Sequence, residues 1–191
     1  MTLLAIDTAG PRLQLALLRD GMVDTLVEQM AQGQAERIFP AIDELLARNG
    51  TTYPDLTRIA VTTGPGSFTG LRIGLAAARG LGLALSIAVV GVPTLFAISL
   101  GGPARAFGVS LDAKRGEAYV QSFSAPGLAT DGARLVPISE ASPDAITDAQ
   151  VPIEALARFA STADPSNFPP DPAYIRDADA KPQEKFRVAR R

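Results

Sequence analysis

Hydrophobic residues follow two kinds of pattern along the first half of the chain. Short apolar runs bounded by glycine and polar residues are typical of buried strands, whereas apolar residues recurring every three to four positions are typical of helices. These patterns predict strands at 3–8, 13–18, 23–29, 58–63 and 86–91, and helices at 34–48, 68–85 and 93–100. The order of these elements predicts an α/β fold.

The helix predicted at 34–48 is amphipathic, with Glu36 on its charged face. Pro40 lies within this pattern and lacks the N–H that a helix interior needs. We therefore expect a kink at Pro40 or a helix that begins nearer Phe39. The apolar stripe of this helix comprises Ala35, Ile38, Phe39, Ile42, Leu45 and Leu46.

A glycine-rich turn, Gly64-Pro65-Gly66, leads into the longest predicted helix, for which Ser67 or Thr69 is the expected N-cap. A glycine turn at a helix N-terminus often binds phosphate. However, Gly66 and Gly70 lack the spacing of a P-loop, and Thr69 replaces the third glycine of a dinucleotide fingerprint. The spacing favours a structural turn, and an anion site is the alternative.

One face of the helix at 68–85 is built of small residues. A glycine inside a helix costs about 1 kcal/mol relative to alanine, so these glycines should be compensated by another helix or sheet that approaches closely. The small face comprises Gly70, Gly74, Ala77, Ala78 and Leu81, and Gly80 and Gly82 lie in the same helix.

A weak internal repeat predicts a second lobe. Residues 5–9 followed by 13–18 are echoed by residues 110–113 followed by 117–123: a strand ending in aspartate, a turn and a returning strand. Three antiparallel strands followed by alternating helices and strands is the order of a ribonuclease-H-like lobe. We expect a first lobe at 1–100 and a second, reduced lobe at 101–191. The second lobe should contain a helix near 153–159, the proline-rich segment 164–172 and a basic tail.

Composition excludes several kinds of chemistry. The 191 residues are 47% apolar and include no cysteine and no histidine. Disulfides, thiolate nucleophiles, Ser-His-Asp triads and histidine metal pairs are therefore impossible. The N-terminus lacks a charged leader and no membrane span is expected, which predicts a cytoplasmic protein. With 18 basic and 20 acidic residues, the net charge of −2 argues against a broad nucleic-acid footprint.

Residues 64–74, Gly-Pro-Gly-Ser-Phe-Thr-Gly-Leu-Arg-Ile-Gly, resemble the signature of the bacterial TsaB family, formerly called YeaZ. Four further segments are similar to motifs of that family, and in the second of them Gln34 stands where the family usually has histidine. These segments are Leu3-Leu4-Ala5-Ile6-Asp7-Thr8-Ala9, Gln34-Ala35-Glu36-Arg37-Ile38-Phe39-Pro40, Leu111-Asp112-Ala113-Lys114-Arg115-Gly116-Glu117-Ala118-Tyr119 and Pro172-Ala173-Tyr174-Ile175-Arg176.

The resemblance implies the duplicated architecture of the actin and sugar-kinase (ASKHA) superfamily, with the second lobe reduced. It implies a non-catalytic subunit, without cofactor or metal, that forms a heterodimer with TsaD. TsaD transfers a threonylcarbamoyl group from threonylcarbamoyl-adenylate to N6 of the adenosine 3′ of the anticodon, in tRNAs reading codons that begin with A. The ATPase TsaE joins the cycle, tRNA is met only through the complex, and an isolated copy is expected to form a homodimer.

Family complexes join through their first lobes, so the helices of this lobe are the predicted partner-binding surface. The flat small face of the helix at 68–85 would let two backbones approach, and apolar side chains around it would supply area. The residues predicted to bind the partner are Glu36, Ile42, Gly70, Arg72, Gly74 and Ala78.

Two alternatives remain open at this point. Asp7 and Asp112 end equivalent predicted strands, and paired carboxylates hold Mg²⁺ in phosphotransferases of this architecture; otherwise they bond turn amides. A small ATP-dependent phosphotransferase is therefore the alternative function. The basic residues of the C-terminal tail are either solvated or in contact with tRNA phosphates. They are Lys181, Lys185, Arg187, Arg190 and Arg191.

Overall fold

The computed structural model describes residues 1–30, 32–148, 150–173 and 175. They form two β-sheets and four α-helices, together with three short 3₁₀ turns. The elements are β1 (Thr2–Asp7), β2 (Arg12–Arg19), β3 (Met22–Gln29), α1 (Gln34–Arg48), β4 (Arg58–Thr62), α2 (Phe68–Leu85), β5 (Ala88–Val92), α3 (Thr94–Ser99), β6 (Phe107–Lys114), β7 (Glu117–Ala125), β8 (Leu128–Ala129), β9 (Arg134–Pro137) and α4 (Ile153–Thr162).

The first sheet has the strand order β3-β2-β1-β4-β5, and its strands β1, β2 and β4 are buried on both faces. β1, β2 and β3 pair antiparallel, while β1, β4 and β5 pair parallel. Because successive strand residues point to opposite faces, Leu4 and Ile6 pack with α1 and α2, whereas Leu3 and Ala5 pack with α3 and α4. The predicted mixed α/β lobe is confirmed, and its strands and helices lie within two residues of their predicted bounds.

Proline does not displace the start of α1, which begins at Gln34 rather than near Phe39. Pro40 and Glu36 are both exposed. The Glu36 carbonyl, whose helical partner would be the missing N–H of Pro40, therefore lies on the water side of the helix.

The second sheet is antiparallel and has the order β6-β7-β8, with β9 also paired to β7. β6 and β7 are the predicted strand and returning strand. One hydrophobic cluster joins Leu3 and Ala5 of the first sheet to Val109 and Phe123 of the second and to Leu156 of α4. The segments predicted as two lobes thus share a core, because α4 covers the first sheet opposite α1 and α2.

By length and composition alone, one helix of the described part of the chain, α2, is apolar enough to cross a membrane. Its buried residues include Gly74, Leu75 and Ala78, which pack on the first sheet. Core helices of globular proteins share this length and composition, so the composition of α2 is explained by its packing.

Candidate functional site

The small-residue face of α2 lies inside the protein. A Cβ atom on Gly70 would overlap the Thr8 carbonyl oxygen, and one on Gly74 would overlap Thr8 Oγ1. Ala78 and Ile42 are fully buried. The predicted partner contact by Ile42, Gly70, Gly74 and Ala78 is therefore corrected: this chain's own sheet, and not a second molecule, occupies that face.

Thr8 and the loop after it tie β1 to the beginning of α2. Thr8 Oγ1 donates to the Gly70 carbonyl over 2.7 Å, and the Ser67 N–H donates to the Ala9 carbonyl over 2.7 Å. The Gly70 N–H donates to Ser67 Oγ over 3.2 Å, which makes Ser67 the N-cap. Two amides of the predicted phosphate turn thus already have partners within the chain, in agreement with a structural turn.

An apolar groove runs along the surface between α1 and α2, with a volume of about 530 Å³. Phe39 of α1 is 45% exposed and Phe68 of α2 is 56% exposed. The Arg72 guanidinium lies 3.8 Å above the centre of the Phe68 ring, a cation–π contact that adds a charge to the groove. We call this surface the α1–α2 groove; its lining residues are Ala35, Ile38, Phe39, Phe68, Thr69, Arg72, Ile73, Ala76 and Ala77.

Two of the six residues predicted to bind a partner, Glu36 and Arg72, remain on the surface of α1 and α2. Arg37, one position further along α1, is held by ion pairs to Glu28 at 2.6 Å and Glu44 at 2.7 Å. Arg72 lines the α1–α2 groove, whereas Glu36 is exposed on α1 and is not part of that lining.

Phe39 and Phe68 were not predicted as site residues. The sequence places Phe39 within the apolar stripe of α1, but it lies about 100° around the helix from Ile38, at the edge of that stripe. Phe68 is the first helical residue of α2, where the buried face has not yet begun. Angular position alone gave no signal for Phe39, because Leu46 lies about 20° from it on α1 and is buried.

A second concavity, of about 500 Å³, separates the two sheets and holds few ionisable groups. Asp112 and Lys114 line it and pair with each other, with 2.8 Å between Oδ2 and Nζ. Hydrogen bonds from Lys114 lower the pKa of Asp112. Gln34 contributes to its wall by donating Nε2 to the Gly10 and Arg12 carbonyls. We call this space the inter-sheet cleft.

Asp7 is buried and does not line the inter-sheet cleft. Its carboxylate accepts hydrogen bonds from the Ala9 N–H at 3.1 Å, Gln14 Nε2 at 2.8 Å and Thr62 Oγ1 at 2.7 Å. Burial raises the pKa of Asp7, while these hydrogen bonds act in the opposite direction. The bond to the Ala9 amide is the turn contact expected for a structural aspartate.

The structure does not bring Asp7 and Asp112 together as a lining pair, since Asp112 lines the cleft and Asp7 does not. In the described ranges, no group of three or more His, Cys, Asp or Glu residues is placed to hold a metal ion. The basic residues of the predicted tail, Lys181 to Arg191, lie outside the described residues. Of the segment at 172–176, residues 172, 173 and 175 are described.

Comparison with known proteins gives consistent matches. Residues 27–134, more than half of the chain, match the family model described as TsaD: tRNA N6-adenosine threonylcarbamoyltransferase. The chain is 38% identical over 124 residues to the tRNA threonylcarbamoyladenosine biosynthesis protein TsaB of Escherichia coli K12, covering 62% of this chain and 53% of that protein. The alignment thus spans about half the length of that relative.

Longer alignments cover nearly the whole chain. An uncharacterized protein of Mycobacterium tuberculosis H37Rv is 34% identical over 204 residues, which cover 95% of this chain and 94% of that one. The solved structure of YeaZ from Pseudomonas aeruginosa superposes with a TM-score of 0.78 at 23% identity, covering 91% of this chain and 99% of that one. The likeness to that structure concerns the fold.

Proposed function

The chain belongs to the TsaB (YeaZ) family and has its actin-like α/β fold, and we propose that it is a non-catalytic subunit in the biosynthesis of threonylcarbamoyladenosine in tRNA. In this proposal it forms a cytoplasmic heterodimer with TsaD, the transferase, and works in a cycle with the ATPase TsaE. It meets tRNA through the complex rather than by itself.

The observation that carries the proposal is the α1–α2 groove. Phe39 and Phe68 are half exposed there on two neighbouring helices, and large exposed aromatic residues in one concavity are typical of protein-binding surfaces. Arg72 supplies a positive charge at this surface, which suits orientation of a partner. In the absence of TsaD, the same groove would pair two copies of this chain into a homodimer.

The non-catalytic part of the proposal is supported by the chemistry of the inter-sheet cleft. The chain has no histidine or cysteine to serve as base or nucleophile. Asp112 and Lys114 neutralise each other, and the Asp7 carboxylate is covered by three hydrogen bonds. These three ionisable groups therefore have structural partners within the chain.

Reconstitution tests the proposal directly. TsaD, TsaE, tRNA and threonylcarbamoyl-adenylate are combined with and without this chain, and the modified adenosine is measured. We expect modification to require the chain, and the chain alone to hydrolyse no ATP. Modification that proceeds equally well without it would contradict the role of a required subunit. ATP turnover by the purified chain would favour a phosphotransferase instead.

A further inference from the structure

Residues 168–173 cross the carboxyl ends of β5 and β4, and we call this segment the C-terminal strap. The Gly91 N–H donates to the Phe168 carbonyl over 2.8 Å, and the Ala173 N–H donates to the Thr63 carbonyl over 2.8 Å. The strap thus runs from the edge strand β5 to the end of β4. The strap residues do not line the inter-sheet cleft, which the loops after β1, β4 and β5 form at the same end of the sheet.

Gly91 allows the strap to lie directly on the sheet. A Cβ atom at this position would overlap the Pro169 carbonyl oxygen and would lie 2.5 Å from the Pro170 Cα atom. These are backbone atoms of the strap, which cannot rotate away as a flexible side chain can. Any side chain at residue 91 therefore has to displace the strap.

The strap also lies against the turn that leads into α2. A Cβ atom on Gly64, in the turn before the helix, would lie 3.2 Å from the Ala173 carbonyl oxygen and 3.0 Å from Leu71 Cδ1. Gly64 is thus enclosed between the strap and the first turn of α2. Asp171 adds a long ion pair to Arg79 of α2, at 3.9 Å between exposed side chains.

At its other end the strap is anchored in the shared core. The Phe168 ring packs against Phe96 with 5.9 Å between centroids and against Phe159 of α4 with 5.2 Å. The strap therefore connects α4 and α3, on one side of the first sheet, to α2 on the other.

We propose that the C-terminal strap is a latch that sets the position of the first turns of α2, and through them the α2 wall of the α1–α2 groove. Two backbone hydrogen bonds hold its first and last residues. These are few beside the contacts that hold the two sheets, so the strap can detach while the sheets remain folded. The effect on partner binding rests on the proposed function, whereas the effect on α2 does not.

Hydrogen exchange of the full chain tests the latch, with Gly91→Ala compared to Gly132→Ala. Gly132 is a matched control because a Cβ there meets nothing within 4 Å. In Gly91→Ala we expect the amides of residues 71–74 to exchange about tenfold faster, while amides of β1 and β2 keep their wild-type rates. TsaD affinity should fall by about the same factor. Gly132→Ala should leave both unchanged.

Ala173→Pro gives an independent variant should Gly91→Ala fail to fold, because it removes the N–H that bonds the Thr63 carbonyl and leaves residue 91 unchanged. Faster exchange in α2 with either folded variant supports the latch. If the amide of Gly91, which donates to the Phe168 carbonyl, shows that the strap has detached while residues 71–74 exchange as in wild type, the inference is overturned. Failure of the wild-type chain to bind TsaD would count against the proposed function alone, since the exchange result stands without the partner.

Discussion

Gln14 Nε2 donates a hydrogen bond to Asp7 Oδ2 over 2.8 Å, across the β1–β2 pair in which these two residues are register partners. Each is only 1% exposed. Gln14 Oε1, the other end of the amide, is buried and has no hydrogen-bond partner among the described atoms. Asp7, a carboxyl group with a raised pKa, thus lies at the carboxyl end of β1, the central strand of the first sheet.

Asp7→Asn should remove a pH dependence of stability. Because burial raises the folded-state pKa of Asp7 above its ordinary value of 3.8, the native state holds the proton more tightly than the unfolded state. Wild-type stability should therefore fall as pH rises from that value through the folded pKa. The variant carries no charge, and a rotated Gln14 amide can accept its new N–H through Oε1.

Urea unfolding from about pH 4 to about pH 7 measures this effect. The stability of Asp7→Asn relative to wild type should rise with pH across that window. Asp144→Asn, at an exposed carboxyl, serves as the control. A relative stability that falls with pH would mean that the buried carboxylate is favoured in its charged form.

The same variant distinguishes a structural aspartate from a catalytic one. We expect Asp7→Asn to leave the activity of the reconstituted complex within about tenfold of wild type, which corresponds to about 1.4 kcal/mol. A thousandfold loss with normal folding and normal TsaD binding would place Asp7 in the reaction. Modified adenosine per unit time is the measurement.

Gly74→Ala and Gly80→Ala should change stability in opposite directions. A Cβ on Gly74 would overlap Thr8 Oγ1, whereas a Cβ on Gly80 meets nothing within 4 Å. Overpacking typically costs about 1–3 kcal/mol, and replacing an exposed helical glycine by alanine gains about 1 kcal/mol. Thermal or urea unfolding of the two variants measures both. Equal stabilities would contradict the interior position of the Gly74 face.

The glycines of α2 also show how much of the structure could be predicted from the sequence. Apolar periodicity was enough to predict both α1 and α2, because each buries one continuous stripe. The glycine spacing in α2 correctly predicted a close approach, but spacing is the same whether the approaching group is a partner or the chain itself. What decides it is Thr8, which bonds Gly70 from 62 positions away. Such a long-range pairing has no local signal.

The packing of α4 was unpredictable for the same reason. Its apolar spacing indicated an amphipathic helix, and the internal repeat placed that helix in a second lobe. In the structure Leu156 joins one cluster with Leu3 and Ala5 of the first sheet and with Phe123 of the second. A helix pattern specifies how wide a buried stripe is, but it carries no information on which sheet receives it.

Phe39→Ala should weaken partner binding without destabilising the chain. Phe39 is 45% exposed at the α1–α2 groove, so its truncation removes contact area that is available to a partner. Aromatic anchors of this kind typically contribute about 1–3 kcal/mol, or roughly 5- to 150-fold in affinity. Calorimetric titration with TsaD and sedimentation of the isolated chain measure hetero- and homodimer formation.

Leu128→Ala is the matched control for that experiment, since Leu128 is 60% exposed on the second sheet, away from the groove. It should bind TsaD as wild type does. If both variants bind equally well, the α1–α2 groove is not the partner surface.

Removing the residues after Arg176 should have little effect on tRNA binding by the assembled complex. The tail's basic residues, Lys181 and Lys185 among them, belong to a chain whose net charge is −2. We expect these residues to be solvated. The slope of tRNA affinity against salt concentration is the measurement, because each phosphate contact contributes roughly 0.7 to 0.9 to that slope. A clearly reduced slope would instead assign the tail to tRNA phosphates.

Arg58→Ala should loosen α4 from the first sheet. Arg58 Nη1 donates to the Ala160 and Ala163 carbonyls at 2.8 Å each, at the end of the helix where carbonyls lack partners and the helix dipole is negative. A hydrogen bond to a charged group contributes about 1.5–3 kcal/mol, so we expect a loss of about 2 kcal/mol in unfolding free energy. Arg158→Ala, on the exposed face of α4, removes a surface ion pair to Glu154 and an exposed hydrogen bond to the Gly21 carbonyl, and should cost no more than about 1 kcal/mol.

Since α4 covers one face of the first sheet, the amides of α4 should also exchange faster in Arg58→Ala and not in Arg158→Ala. Equal losses in the two variants would mean that α4 is held by its apolar face alone and that the Arg58 cap adds nothing.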